Sequence, residues 1–275
     1  MVWLNLVCLD APIVALAWQS LFASAFNLPI DRGNSSALFL TAWLIYLADR
    51  LADASALPPA APRSLRQKFC LGHRRVWLFA LAAVAAVDAC VISLSVAPKT
   101  VLAGACVGLL ALIYLILNHP LGRIWKSLPL KEVAIGFLFT AGTLVALLPS
   151  IPRPSLVFVL SSAAFASVCV LNCVTIAWLE CELDQAQRKV SIATRYPSQV
   201  CHLKKTCLLF ALAALVLGIA CPSGAQIFAC VSVSSLLLAW LNGSSLLLGF
   251  DDDKRTALAD LVLLTPVIAL LISNA

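Results

Sequence analysis

Residues 34–54, NSSALFLTAWLIYLADRLADA, form an apolar run long enough to cross a bilayer that ends in two carboxylates, Asp49 and Asp53. About 20 mostly apolar residues let a helix cross the hydrocarbon, where only a backbone that pairs its own polar groups is tolerated. Comparable runs recur on both sides, and we expect spans at 4–26, 34–54, 76–96, 101–117, 132–148, 156–184, 207–220, 227–250 and 257–272. Pro58-Pro59, Pro98, Pro120, Pro152 with Pro154, Pro222 and Gly224 punctuate the junctions. Composition agrees: 62% of the chain is hydrophobic, only 12% is charged, and the mean hydropathy is +0.99. A soluble domain carries roughly one-quarter charged residues, so a soluble α/β protein is excluded. The expected fold class is an all-α polytopic membrane protein of about nine helices, one membrane-embedded domain over residues 1–275.

The charges orient it. With the N-terminus in the cytoplasm, 16 of the 19 Lys and Arg residues fall in cytoplasmic segments, and only Arg32, Lys99 and Arg153 fall outside. That is the positive-inside pattern. It also explains the net charge of +6 without nucleic acid; anionic lipid headgroups or an anionic substrate are the partners it admits. The N-terminus lacks a basic region before its apolar stretch, so the first span is expected to stay. Eleven cysteines are scattered through apolar spans with no CxxC, and are read as small reduced hydrophobes. His73, His119 and His202 fall in three different loops, which supports neither haem nor zinc.

Two acidic pairs carry the chemistry. Asp49 and Asp53 are four residues apart on one helical face, and Glu180 and Asp184 repeat that spacing at the end of the sixth span, on the same membrane face. Four converging carboxylates raise one another's proton affinity unless cations neutralise them. Mg²⁺ fits, because it takes hard oxygen ligands and bridges one or two carboxylates to phosphate oxygens, so the implied substrate carries a diphosphate. Read blandly, each pair marks a helix end at the water interface. Glu182 points about 160° away from its i±2 neighbours and is left out. Asp10, before Ala11-Pro12, reads as a cap of the first helix. Asp88, Asp260, Asn172 and Thr175 lie within spans, as acceptor contacts or as interhelical hydrogen bonds. Asp251-Asp252-Asp253-Lys254-Arg255 reads as a solvated turn.

On these residues the chain resembles the UbiA superfamily of intramembrane prenyltransferases, nine-helix proteins with a central cavity and Asp-rich motifs on helices 2 and 6. Ile45-Tyr46-Leu47-Ala48-Asp49-Arg50-Leu51-Ala52-Asp53 occupies the first motif, and Glu180 and Asp184 take the last two acidic places of the second. Tyr46 and Ala177 stand where each motif carries its first Asp, and Ile45 where it carries Asn. Tyr114 is followed by Asn118-His119 rather than a Lys-Arg pair. The resemblance implies Mg²⁺-dependent transfer of a prenyl group from a polyprenyl diphosphate to a lipophilic acceptor, which for some family members is aromatic. It assigns Asp49, Asp53, Glu180 and Asp184 to metal and catalysis, and Arg50, Lys126, Arg188 and Lys189 to diphosphate. Tyr46, Tyr114, Asn118 and Asn172 go to the substrate pocket. Trp43, Tyr114, Phe137 and Trp178 are candidates to shield a carbocation, or else interface anchors. Arg63 to Arg75, RSLRQKFCLGHRR, reads as a basic lid over the cavity or as plain cytoplasmic charge. A UbiA-type cyclase or diphosphate lyase and a non-catalytic isoprenoid carrier of the same fold remain open; a CDP-alcohol phosphotransferase lacks its motif here. No protein partner is identifiable.

Overall fold

The computed structural model describes residues 2–118, 131–151, 153–243 and 252–273. Lys126 and His119 lie outside the described residues, as does the side chain of Asn118. The described residues form helices and connecting turns, with no strand among them: α1 Val2–Leu6, α2 Asp10–Ala25, α3 Arg32–Ser55, α4 Leu65–Gly72, α5 Arg74–Ser95, α6 Pro98–Asn118, α7 Lys131–Leu144, α8 Leu156–Leu179, α9 Cys181–Ala186, α10 Ile192–Arg195, α11 Pro197–Val200, α12 Leu203–Ala220, α13 Ala225–Gly243, α14 Asp252–Val262 and α15 Thr265–Ser273. Among the described residues each expected span falls on one of these helices or on a broken pair of them, the span at 227–250 being described only as far as Gly243. Six segments are long and apolar enough to cross a membrane by length and composition.

The apolar side chains divide between core and exterior. Trp18 of α2 stacks on Phe165 of α8 with ring centroids 4.2 Å apart, and Phe22, Phe158, Phe228 and Leu238 close the core around them. By contrast α6 leaves Leu102, Leu109, Leu110 and Leu112 exposed, and α12 leaves Leu209, Leu212, Val216 and Ile219 exposed. Contiguous bare apolar surface on this scale needs a lipid solvent. One small residue sets the spacing of the central helices: a Cβ on Gly136 of α7 would lie 2.5 Å from Val170 of α8.

Three expected spans are broken. The first divides into α1 and α2 at Cys8, whose φ of 59° ends α1 in a Schellman turn: Leu9 N–H donates to Leu4 O at 2.9 Å and Cys8 N–H to Asn5 O at 3.3 Å. Pro12 reinforces the break, since its ring excludes a helical carbonyl four residues earlier. The last span divides into α14 and α15 before Pro266 for the same reason. Carbonyls around the two breaks find other donors. Trp43 Nε1 donates to Val7 O at 3.0 Å, Trp18 Nε1 to Leu263 O at 2.8 Å, and Ser234 Oγ to Val262 O at 3.1 Å. Trp43 therefore holds a broken helix, rather than anchoring an interface. The sixth span ends as a continuous helix at Leu179, where its apolar run stops, and resumes as α9 after Glu180.

Candidate active site

The ends of α3 and α8, the starts of α4 and α7, and the turn after α9 enclose a cavity of about 210 Å³. Asp49, Asp53, Glu180 and Asp184 all line it, so the two acidic pairs that lie far apart in the chain meet in space. Arg50, Lys189, Tyr46 and Asn172 line it as well. Tyr114 is close enough for the charges of Asp49 and Asp53 to act on its phenol.

Local geometry decides which basic residue of the pair Arg188-Lys189 serves the cavity. α9 ends in a second Schellman turn, with Lys189 N–H donating to Asp184 O at 2.8 Å and Arg188 N–H to Gln185 O at 3.0 Å. This puts Arg188 in the left-handed region, φ 57°, with its side chain exposed and away from the cavity. The same turn brings Lys189 back, and its Nζ donates to Asp53 Oδ2 at 3.1 Å. Arg50 Nη2 donates to the Tyr46 hydroxyl at 2.7 Å, and its guanidinium carbon lies 4.8 Å from the Tyr46 ring centroid. Tyr46 thus positions the neighbouring arginine.

Two cations went unassigned on sequence grounds. Arg66, 6% exposed, pairs with Glu180, and Lys131 stands where the charges of Asp53, Asp184 and Asp49 act on its ammonium. Arg66 is carried by α4, within the segment read as lid or plain charge, and here the segment folds over the cavity. Ser64 and Gln67 form a capping box at its start, Leu65 N–H donates to Asp253 Oδ2 at 3.0 Å, and Gln187 Nε2 donates to Pro62 O at 2.8 Å and Gln67 Oε1 at 2.9 Å. The Ser64-x-x-Gln67 spacing was the signal available for this helix. Asp253 accordingly belongs to α14 and holds the lid, instead of a solvated turn. Asp10 is not the cap of α2 either; it is the first helical residue, with Oδ1 accepting from Ala11 N–H at 3.0 Å. Asp88 accepts from Thr41 Oγ1 at 2.8 Å, an interhelical hydrogen bond.

Burial pushes the Asp184 carboxyl up to about 6, with Lys131 opposing and Glu180 adding to the rise. Seven carboxyl groups line the cavity, the four above with Asp10, Glu132 and Asp260, against four cationic heads, Arg50, Arg66, Lys131 and Lys189. The formal balance is −3. Among the described residues no three acids, histidines or cysteines converge tightly enough to cage a metal ion. Mg²⁺ held by one or two of these carboxylates, by water and by phosphate oxygens does fit such a donor set.

No family model matches the chain, and no curated protein sequence matches it. Among solved structures it is similar to the apo structure of a UbiA homologue from Aeropyrum pernix, with a TM-score of 0.62 and 17% identity over 96% of this chain and 98% of that one. At this identity the likeness establishes the fold alone, one shared with that UbiA homologue. With its apolar helices, that fold makes the chain an integral membrane protein.

Proposed function

We propose that the protein transfers a prenyl group from a polyprenyl diphosphate to a lipophilic acceptor within the membrane, with Mg²⁺ as cofactor. The observation that carries this reading is a set of unused guanidinium donors. Arg50 Nε and Arg66 Nε and Nη1 are buried without a hydrogen-bond partner, and both residues line the acid-rimmed cavity. A buried donor left unmade costs about 1 to 3 kcal/mol, more when it is charged, so these groups favour an anionic guest. Yet acidic groups outnumber cationic heads in the cavity, which disfavours a naked anion. A diphosphate enters such a site only with its own cations, which the spare carboxylates accommodate. Beyond the polar rim, Val14, Ile135, Phe139 and Ile176 give the cavity apolar walls suited to an isoprenoid tail.

In this reading Asp49, Asp53, Glu180 and Asp184 hold Mg²⁺ directly or through water. Bound there, Mg²⁺ offsets the charge that develops on the departing diphosphate. Arg50, Arg66, Lys131 and Lys189 orient the two phosphates, and Tyr46 keeps Arg50 aimed. The lid helix α4 brings Arg66 and excludes water from the reacting carbon. The acidic face and N-terminus are cytoplasmic, following the basic residues.

The test is diphosphate release from prenyl diphosphates of graded chain length by the purified protein in nanodiscs, with Mg²⁺ or with EDTA, with and without a phenolic acceptor. Mg²⁺-dependent release that falls about 100-fold or more in Asp49→Asn and Asp184→Asn supports the proposal. Release that ignores both EDTA and these substitutions removes it. Ala177, in the place of an acid, favours a second reading in which the cation is quenched by cyclisation or water. Product analysis separates the two, since that enzyme releases diphosphate at the same rate without an acceptor.

A further inference from the structure

Glu132, in the first turn of α7, is 2% exposed and lines the cavity beside Lys131. Its Oε1 accepts from Ile192 N–H at 3.2 Å, while its Oε2 is buried with no hydrogen-bond partner. Its charge acts on the Lys131 ammonium, on the phenol of Tyr114 in α6 and on the thiol of Cys173 in α8. Tyr114 also feels Asp49 and Asp53 of the acidic rim, whereas Cys173 stands two turns before Glu180, roughly 10 Å deeper along α8. Glu132 thus lies where the rim gives way to the deeper part of the cavity.

A tie to Ile192 does not account for a carboxylate here. The amide oxygen of a glutamine accepts the same hydrogen bond, and burying an ionisable group costs more than burying an amide. What glutamine lacks is the capacity to take up a proton. The other acids of the cavity are engaged. Asp49, Asp53, Glu180 and Asp184 form the rim read as the metal site. Asn5 donates through Nδ2 to Asp10 Oδ2 and to Asp260 Oδ2, both at 2.7 Å, and these two carboxyl groups also hydrogen-bond to each other, which requires that they share a proton. Among the described residues, Glu132 is the cavity-lining acid with a buried oxygen to spare.

Prenyl transfer has a proton to dispose of. The C1–O bond of the donor breaks and its electron pair leaves with the diphosphate. An electron pair of the acceptor forms the new bond to C1, and the acceptor gives up the hydrogen carried on its attacking atom. We propose that Glu132 is the general base of this reaction, with Oε2 receiving the acceptor's proton. Ile192 N–H holds Oε1, so Oε2 is the oxygen presented to the substrates. The inference rests on the prenyl-transfer reading for the existence of that proton, and it names a catalytic residue outside both acidic pairs.

The experiment uses the full chain in nanodiscs with Mg²⁺, a prenyl diphosphate and a panel of long-chain phenols, alcohols and amines as acceptors. It compares the wild type with Glu132→Gln, which keeps the tie to Ile192 and removes a buried charge, and with Glu132→Asp, which keeps a base. Glu132→Gln should slow formation of the prenylated acceptor about 100-fold or more. Its KM for the prenyl diphosphate and its half-saturating Mg²⁺ concentration should stay within about threefold of the wild type. Glu132→Asp should be at least about tenfold faster than Glu132→Gln. A smaller loss in Glu132→Gln, a loss that appears instead as a higher Mg²⁺ requirement, or an Asp variant no faster than the Gln variant overturns the proposal. Diphosphate release by the wild type with no prenylated acceptor from the panel overturns this inference alone; no release from any prenyl diphosphate removes the transferase reading and the inference with it.

Discussion

Removing the charge of Asp184 is expected to stabilise the metal-free protein while disabling it. Burial pushes this carboxyl from its ordinary 3.8 to about 6. A carboxyl raised in the folded state contributes stability that is full below its unfolded pKa and is lost as pH rises through the folded value. The window therefore lies between about pH 4 and pH 6, and above it the ionised side chain costs stability. At about 1.36 kcal/mol per pH unit the cost is on the order of 3 kcal/mol. Asp184→Asn keeps the shape without the charge, so in EDTA it should gain about 1 to 3 kcal/mol at pH 8, a rise of roughly 2 to 8 °C in Tm, and almost nothing at pH 4. Thermal unfolding in nanodiscs across that range reads the effect. Adding Mg²⁺ with a non-hydrolysable prenyl diphosphate should then stabilise the wild type and leave the variant unmoved. If Asp184→Asn destabilises the metal-free protein equally at both ends of the pH range, burial does not set the proton affinity of this group and the reasoning fails.

Two smaller perturbations test the parts around it. Gln187 holds the lid through Pro62 O and Gln67 Oε1, so Gln187→Ala should release α4 locally; losing two hydrogen bonds predicts about a 5- to 30-fold faster proteolytic cut between residues 56 and 75, and an unchanged rate refutes the latch. Arg188 adopts a left-handed conformation that glycine takes without strain, so Arg188→Gly should raise the unfolding free energy by about 0.5 to 1 kcal/mol, and a loss of stability there contradicts the Schellman assignment.

Much of the fold was readable because lipid imposes a single demand, and the apolar runs show where the chain meets it. The four acids were readable for a related reason: charge at the end of a span is expensive enough to require a purpose, and two pairs at the same spacing on one face share it. Their partners were not. Arg66 and Lys131 are ordinary basic residues in cytoplasmic segments by composition, and only the packing of α4 on the cavity and the start of α7 beside it separates them from Arg74 or Arg75. Arg188 and Lys189 are neighbours of the same charge, yet one left-handed residue sends them opposite ways, a choice that hydrophobic pattern does not encode.

The polar residues within spans show most clearly what was missing. Pro12 and Pro266 announce a break, but a proline only frees backbone groups and does not say what receives them. Around the breaks the donors are Trp43, Trp18 and Ser234, contributed by other helices, and they satisfy the carbonyls of Val7, Leu263 and Val262 where the chain turns. The turn after α1 then places Asn5 and Asp10 side by side, and α14, stopping short of Pro266, leaves Asp260 against them. A continuous first span would put residues 5 and 10 about 140° apart around its axis, so Asn5 could not hold both carboxyl groups. The break in the helix is thus what creates the cluster, and Asp10 looked like a helix cap because its real partner lies on the far side of that break.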